Sequence, residues 1–122
     1  MFHPNKSSVK FLLEEIEKNL GLINNLYIET GKNQDIKKQW KEKVSEYQSV
    51  IQQQLFKLAN ETSDYIFATY TAPFTQDFLN YLDECNKQMG KTGPGEGEKN
   101  IPILFNHLEK ILSDTREALE LN

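Results

Sequence analysis

Residues 33–71 read NQDIKKQWKEKVSEYQSVIQQQLFKLANETSDYIFATYT. Ile36, Trp40, Val44, Tyr47, Ile51, Leu55, Leu58, Thr62, Tyr65 and Thr69 follow one another at steps of three and four, the spacing of one helical stripe. No Gly or Pro interrupts the run. Asn33 is placed to cap its start, with Asp35 in the first turn. Pro73 is placed to stop it, because the residue before a proline avoids helical angles. The spacing predicts a helix over 34–71, roughly 55 Å long if continuous. Asn60-Glu61-Thr62-Ser63 is its weak point, since those side chains compete for backbone hydrogen bonds. A kink or break there is one option. The others are a rod lying lengthwise on its neighbours, or an overhang that packs on another chain through a coiled-coil seam.

Working outward, Val9, Leu13, Ile16, Leu20, Ile23 and Tyr27 make a second stripe, widened by Leu12 and Leu26, and predict a helix over 7–30. Ser7 or Ser8 is the expected cap, and Gly31 the expected left-handed terminator. Phe78, Leu82, Cys85 and Met89 predict a helix over 75–89, capped by Thr75 and ended by Gly90. Residues 90–99 read as a flexible loop from their Gly, Pro and charge content. Ile101, Leu104, Leu108, Ile111, Thr115 and Leu119 predict a helix over 101–121, with Asn100 as cap. Four amphipathic helices without a strand pattern predict an all-α fold, an antiparallel four-helix bundle with a long second helix, in one domain over 1–122.

The 122 residues can close a core without disulfide or metal, and Cys85 is the only cysteine. No signal peptide and no membrane span is visible, so a cytoplasmic location is expected. The net charge of −4 is uneven. Residues 1–61 carry +1 and residues 62–122 carry −5. Thirteen Lys and one Arg leave little for bidentate phosphate recognition.

Motifs for chemistry are few. Gly90-Lys91-Thr92 has Cys85 where a phosphate loop needs glycine, and no strand precedes it. Cys85 lies on an apolar stripe and reads as a small buried hydrophobe. Glu14, Glu15 and Glu17, and Asp83 with Glu84, read as solvated helix faces. His107-Leu108-Glu109-Lys110 has the His-to-Lys spacing of histidine phosphotransfer domains, and in that respect is similar to them. Ile111 stands where that family has glycine, and His107 falls in the last helix. Lys37, Lys38 and Lys41, around Trp40, form a basic face suited to phosphates or an acidic partner.

Tyr65, Phe67, Tyr70, Phe74, Phe78 and Tyr81 crowd the junction between the second and third segments. Tyr65, Phe67 and Tyr70 cannot share one helix face, so this end either builds a thick aromatic core or docks a partner. These six residues with Trp40 are the expected partner-binding set. The function expected is non-enzymatic: a self-associating helical-bundle adaptor, regulator or small subunit, with no cofactor or metal. Two alternatives stand beside it. One is a phosphotransfer-like signalling protein using His107. The other is a nucleic-acid-binding accessory protein using Lys37, Lys38 and Lys41.

Overall fold

In the computed structural model, which describes residues 5–90 and 99–121, Asn33 does cap the second helix. Its side chain accepts from the N–H groups of Asp35 and Ile36 at 2.9 and 3.4 Å. The helix that follows, α2 (Gln34–Glu61), ends ten residues earlier than the stripe suggests. Thr62 and Ser63 leave helical angles, and Ser63 then caps a new start by accepting from the Ile66 N–H. Of the options at Asn60–Ser63, the break is the one realised, so α2 has no overhang.

The first helix, α1 (Lys6–Thr30), is capped by Asn5, whose Oδ1 accepts from the Ser8 N–H at 3.1 Å. Neither Ser7 nor Ser8 is the cap. The Ser8 hydroxyl instead donates to Glu61 at the end of α2. Gly31 stays in the right-handed region at φ −73°. The chain then continues through α3 (Asp64–Ile66), a π-helical turn (Phe67–Thr71) and α4 (Ala72–Met89) without leaving helical angles, as one rod over 64–89. Thr75 is therefore not a cap. It lies inside α4, and its hydroxyl donates to the Thr71 carbonyl. The final helix, α5 (Asn100–Ala118), begins after Lys99 with no side-chain cap, so Asn100 is a helical residue. Its end comes three residues before the expected 121. Glu120 takes φ 57°, and the N–H groups of Glu120 and Leu121 bond back to Glu117 and Arg116, the Schellman pattern with a glutamate in the glycine position. Of the loop expected over 90–99, residues 91–98 lie outside the described residues.

The described residues form helices and no strand. Contacts fix the sense of neighbouring pairs. Ser8 meets Glu61 at one end of α1 and α2, and the Tyr27 ring meets Trp40 edge-on at the other, so these two run in opposite directions. Asp77 meets His107 and Tyr81 meets Phe105, which sets α4 and α5 opposite in the same way. One apolar cluster joins all four rods. It holds Leu13, Ile16, Leu20 and Ile23 of α1, Ile51 of α2, Phe78 and Tyr81 of α4, and Leu108 of α5. Burying each such side chain contributes roughly 1.5–3 kcal/mol relative to exposure. No described helix is long and apolar enough to cross a membrane.

Candidate protein-contact surface

Pro73 explains the local structure of the aromatic junction. It has no N–H for the Thr69 carbonyl, and in an α-helix its ring would press on that carbonyl. The backbone widens just ahead of it, and the Ala72 N–H reaches the Phe67 carbonyl five residues back. The extra residue in this turn changes which side chains face inward. Phe78 and Phe67 are eleven residues apart, about three full α-turns, so an unbroken α-helix would align them. Instead the inward series runs Ile66, Thr71, Phe74, Phe78, Tyr81, Cys85, with a step of five at the π-turn. Ile66 is buried at 6 % exposure, and Phe67 is turned outward at 43 %.

The seven residues expected to bind a partner therefore separate. Trp40, Phe74, Phe78 and Tyr81 belong to the core and present nothing to a partner while the chain is folded. Phe74 and Phe78 stack on each other, the Tyr81 hydroxyl donates to Asn24 at 2.9 Å, and Trp40 Nε1 donates to Asn86 at 2.8 Å. Tyr65 and Phe67 are exposed, and Tyr70 is half-buried. These three remain as a surface set on α3 and the π-turn, where that turn packs against α2 and α5. Glu61 and Asp64 flank it in sequence.

The other candidate residues are placed as follows. His107 Nε2 lies 2.9 Å from Asp77 Oδ2, with the imidazole more than half exposed. Lys38 and Lys41 are exposed and Lys37 is half-buried. Trp40 turns inward beside them, so its ring gives this face no stacking platform. Cys85 is fully buried, and burial pushes its thiol up to about 12. Burial raises the Tyr81 hydroxyl as well. Among the described residues, no three His, Cys, Asp or Glu side chains are grouped to hold a metal ion. A groove of about 650 Å³ between α1 and α5 is crossed by the Arg116–Glu17 ion pair, and its lining carries both signs of charge.

Two exposed aromatics lie off the apolar stripes of the sequence. Phe11 and Phe56 each stand beside a core leucine, Leu12 and Leu55, but one residue out of phase with the buried face. That phase offset was present in the sequence. No protein-family model, curated protein or solved structure matches the chain.

Proposed function

We propose that this chain is a non-enzymatic helical-bundle protein that works by protein–protein contact, as an adaptor, regulator or small subunit. Tyr65, Phe67 and Tyr70 are its docking side chains. The observation that carries this is the outward placement of Tyr65 and Phe67, at 67 % and 43 % exposure, on a backbone turn that departs from the α-helix. Exposed aromatics supply large contact area with few rotors to freeze, which suits interface anchors. The acidic neighbours Glu61 and Asp64 favour a partner with basic residues around an apolar centre.

The test is the paired substitution Tyr65→Lys with Phe67→Asp. Substituting Phe74 would not serve, because Phe74 is core. The variant is expected to keep its thermal unfolding midpoint, followed by Trp40 fluorescence, and to lose partners captured by the wild-type chain. Capture of the same partners by the folded variant would remove the junction as the working surface.

A second function is favoured by the His107–Asp77 contact. A carboxylate holding Nε2 fixes the imidazole tautomer and leaves Nδ1 as the nucleophilic nitrogen. A phosphotransfer role requires an acid-labile phosphoryl label on incubation with a phosphoramidate donor, lost in His107→Gln. An unlabelled wild-type chain would end it.

A further inference from the structure

The outward face of α2 carries a second surface, independent of the junction in position. Ser45, Ser49, Gln52 and Phe56 recur at steps of four, three and four, with Gln53 and Asn60 beside them, and all are exposed. Residues 47–56, ten in a row, carry no charge in a chain where 26 % of residues do. Phe56 is 71 % exposed, the largest value among the described exposed apolar side chains. Ser49, Gln52, Gln53, Phe56 and Lys57 line a shallow hollow of about 370 Å³. Charge depletion around an exposed aromatic is the composition of an interface centre.

We infer that this face is occupied by α2 of a second copy of the chain, packed antiparallel about a two-fold axis near Gln52. Three observations select that occupant. Copies that each carry −4 repel unless they meet where charge is absent, and this stripe is such a place. A two-fold contact must complement itself, and Ser hydroxyls and Gln amides each donate and accept. The stripe is also bounded by one residue of each sign. Glu46 and Lys57 are eleven residues apart, about three turns, so they share one flank of the helix. Both are exposed, and neither has an ion-pair partner among the described residues. Antiparallel pairing centred between residues 51 and 52 sets Glu46 of one copy opposite Lys57 of the other, twice. In a parallel pair the two residues lie roughly 16 Å apart along the axis and do not meet.

The inference deepens the protein-contact function by naming a partner, and it uses a different surface, so each can fail alone. One helix face buries an area near or below the ~1,000 Å² expected of a stable interface, so the dimer is weak and concentration-dependent.

Sedimentation equilibrium of the full chain tests it. The mass is expected to rise from 14.2 kDa toward twice that value between micromolar and near-millimolar concentration. Phe56→Asp should hold the chain at the monomer mass. Glu46→Lys and Lys57→Glu should each weaken the dimer by about tenfold. The double reversal should recover it. In a separate variant, Gln52→Cys should form a disulfide-linked dimer on oxidation, and Ser45→Cys, away from the axis, should not. Tyr65→Lys with Phe67→Asp should leave the mass profile unchanged. A monomer at every concentration, a dimer indifferent to Phe56→Asp, or a double reversal that recovers nothing would each overturn the inference. A foreign protein that needs Phe56 on a chain that never dimerises would overturn it in favour of a hetero-partner.

Discussion

In α1 the inward residues Val9, Leu13, Ile16, Leu20 and Ile23 follow steps of four and three without a slip, whereas the rod over 64–89 takes a step of five between Ile66 and Thr71. Both rods bury a stripe, and Phe74, Phe78, Tyr81 and Cys85 of the second share one apolar cluster with α1. The difference lies in Pro73. A helix with no proline keeps its phase, and every exposed or buried residue can be counted from any other. A helix with a proline can keep its axis and lose its phase, by widening one turn ahead of the ring. The phase shift is what turns Phe67 outward and Ile66 inward. The candidate docking side chains thus follow from the proline as much as from the aromatics themselves.

The largest effect should come from deleting one residue on each side of this comparison. Deleting the exposed Lys18 would rotate the start of α1 by about 100° relative to its end. Val9, Leu12, Leu13 and Ile16 could then not be buried together with Leu20, Ile23 and Leu26. At roughly 1.5–3 kcal/mol each, their loss is comparable to the whole stability of a small domain. The variant is expected to lack a cooperative urea transition. Deleting Thr69 together with Pro73→Ala removes both the extra residue and its cause, and leaves the same residues facing inward. That variant is expected to unfold cooperatively, within about 2 kcal/mol of wild type. An equal loss in both would show that the π-turn is no looser in phase than α1.

Alkaline pH should act next, on the place where the two rods meet. Tyr81 bonds to Asn24 of α1, and Cys85 lies one turn further along α4. Folding raises the pKa of both side chains by burying them. The folded state therefore keeps protons that the unfolded chain gives up. The stability contribution is complete below the unfolded pKa and is lost as pH rises. For Cys85 the window runs from roughly 8.5, the unfolded value, to about 12. The urea midpoint should fall across that window, and less so in Cys85→Ala. A flat midpoint would contradict the burial of the pair.

Smaller effects sharpen the contrast. The Thr115 hydroxyl donates to the Ile111 carbonyl at 2.7 Å, but the Thr71 hydroxyl, buried in the π-turn, has no hydrogen-bond partner among the described residues. Thr71→Val should therefore raise stability by up to about 1 kcal/mol, and Thr115→Val should lower it by about 0.5–1 kcal/mol. Equal losses would mean that the Thr71 hydroxyl is satisfied. In α1, a Cβ added to Gly21 meets nothing within 4 Å. Gly21→Ala should stabilise by about 0.5–1 kcal/mol, since the helix interior gains propensity without a clash. A loss would place an unseen neighbour over that position.

The sequence makes α1 legible because Val9, Leu13, Ile16, Leu20 and Ile23 carry its period of 3.6 and no proline interrupts it. The break at Thr62–Ser63 was legible as a weak point, from residue types that compete for the backbone. Its consequence was not, because Tyr65 and Thr69 continue the spacing of α2 by chance while lying on the next rod. Pro73 misled in the other direction. The preference of its preceding residue against helical angles is real, but Ala72 stays at φ −65° and ψ −46°, and the turn ahead of the ring widens without ending the helix. The docking set was legible only as an unresolved crowd of rings. Sorting Tyr65 and Phe67 from Phe74, Phe78 and Tyr81 needed the phase, and the phase is a property of the backbone ahead of Pro73. Phe56 was missed for a simpler reason. It lies beside Leu55 but off the buried stripe, and tracing only the apolar stripe passes over a side chain one residue out of phase.

The docking surface depends above all on the phase of residues 66 and 67, and thiol labelling measures it directly. Cys85 is fully buried and does not compete in the native state. Ile66→Cys and Phe67→Cys would each be reacted with a maleimide under native conditions, and the rate compared with that of the same chain in urea. Phe67→Cys is expected to label at nearly the unfolded rate, and Ile66→Cys to be protected until the chain unfolds. Protection at 67 with rapid labelling at 66 would mean that the rod is α-helical through Pro73, that Phe67 is core, and that the docking surface described above does not exist.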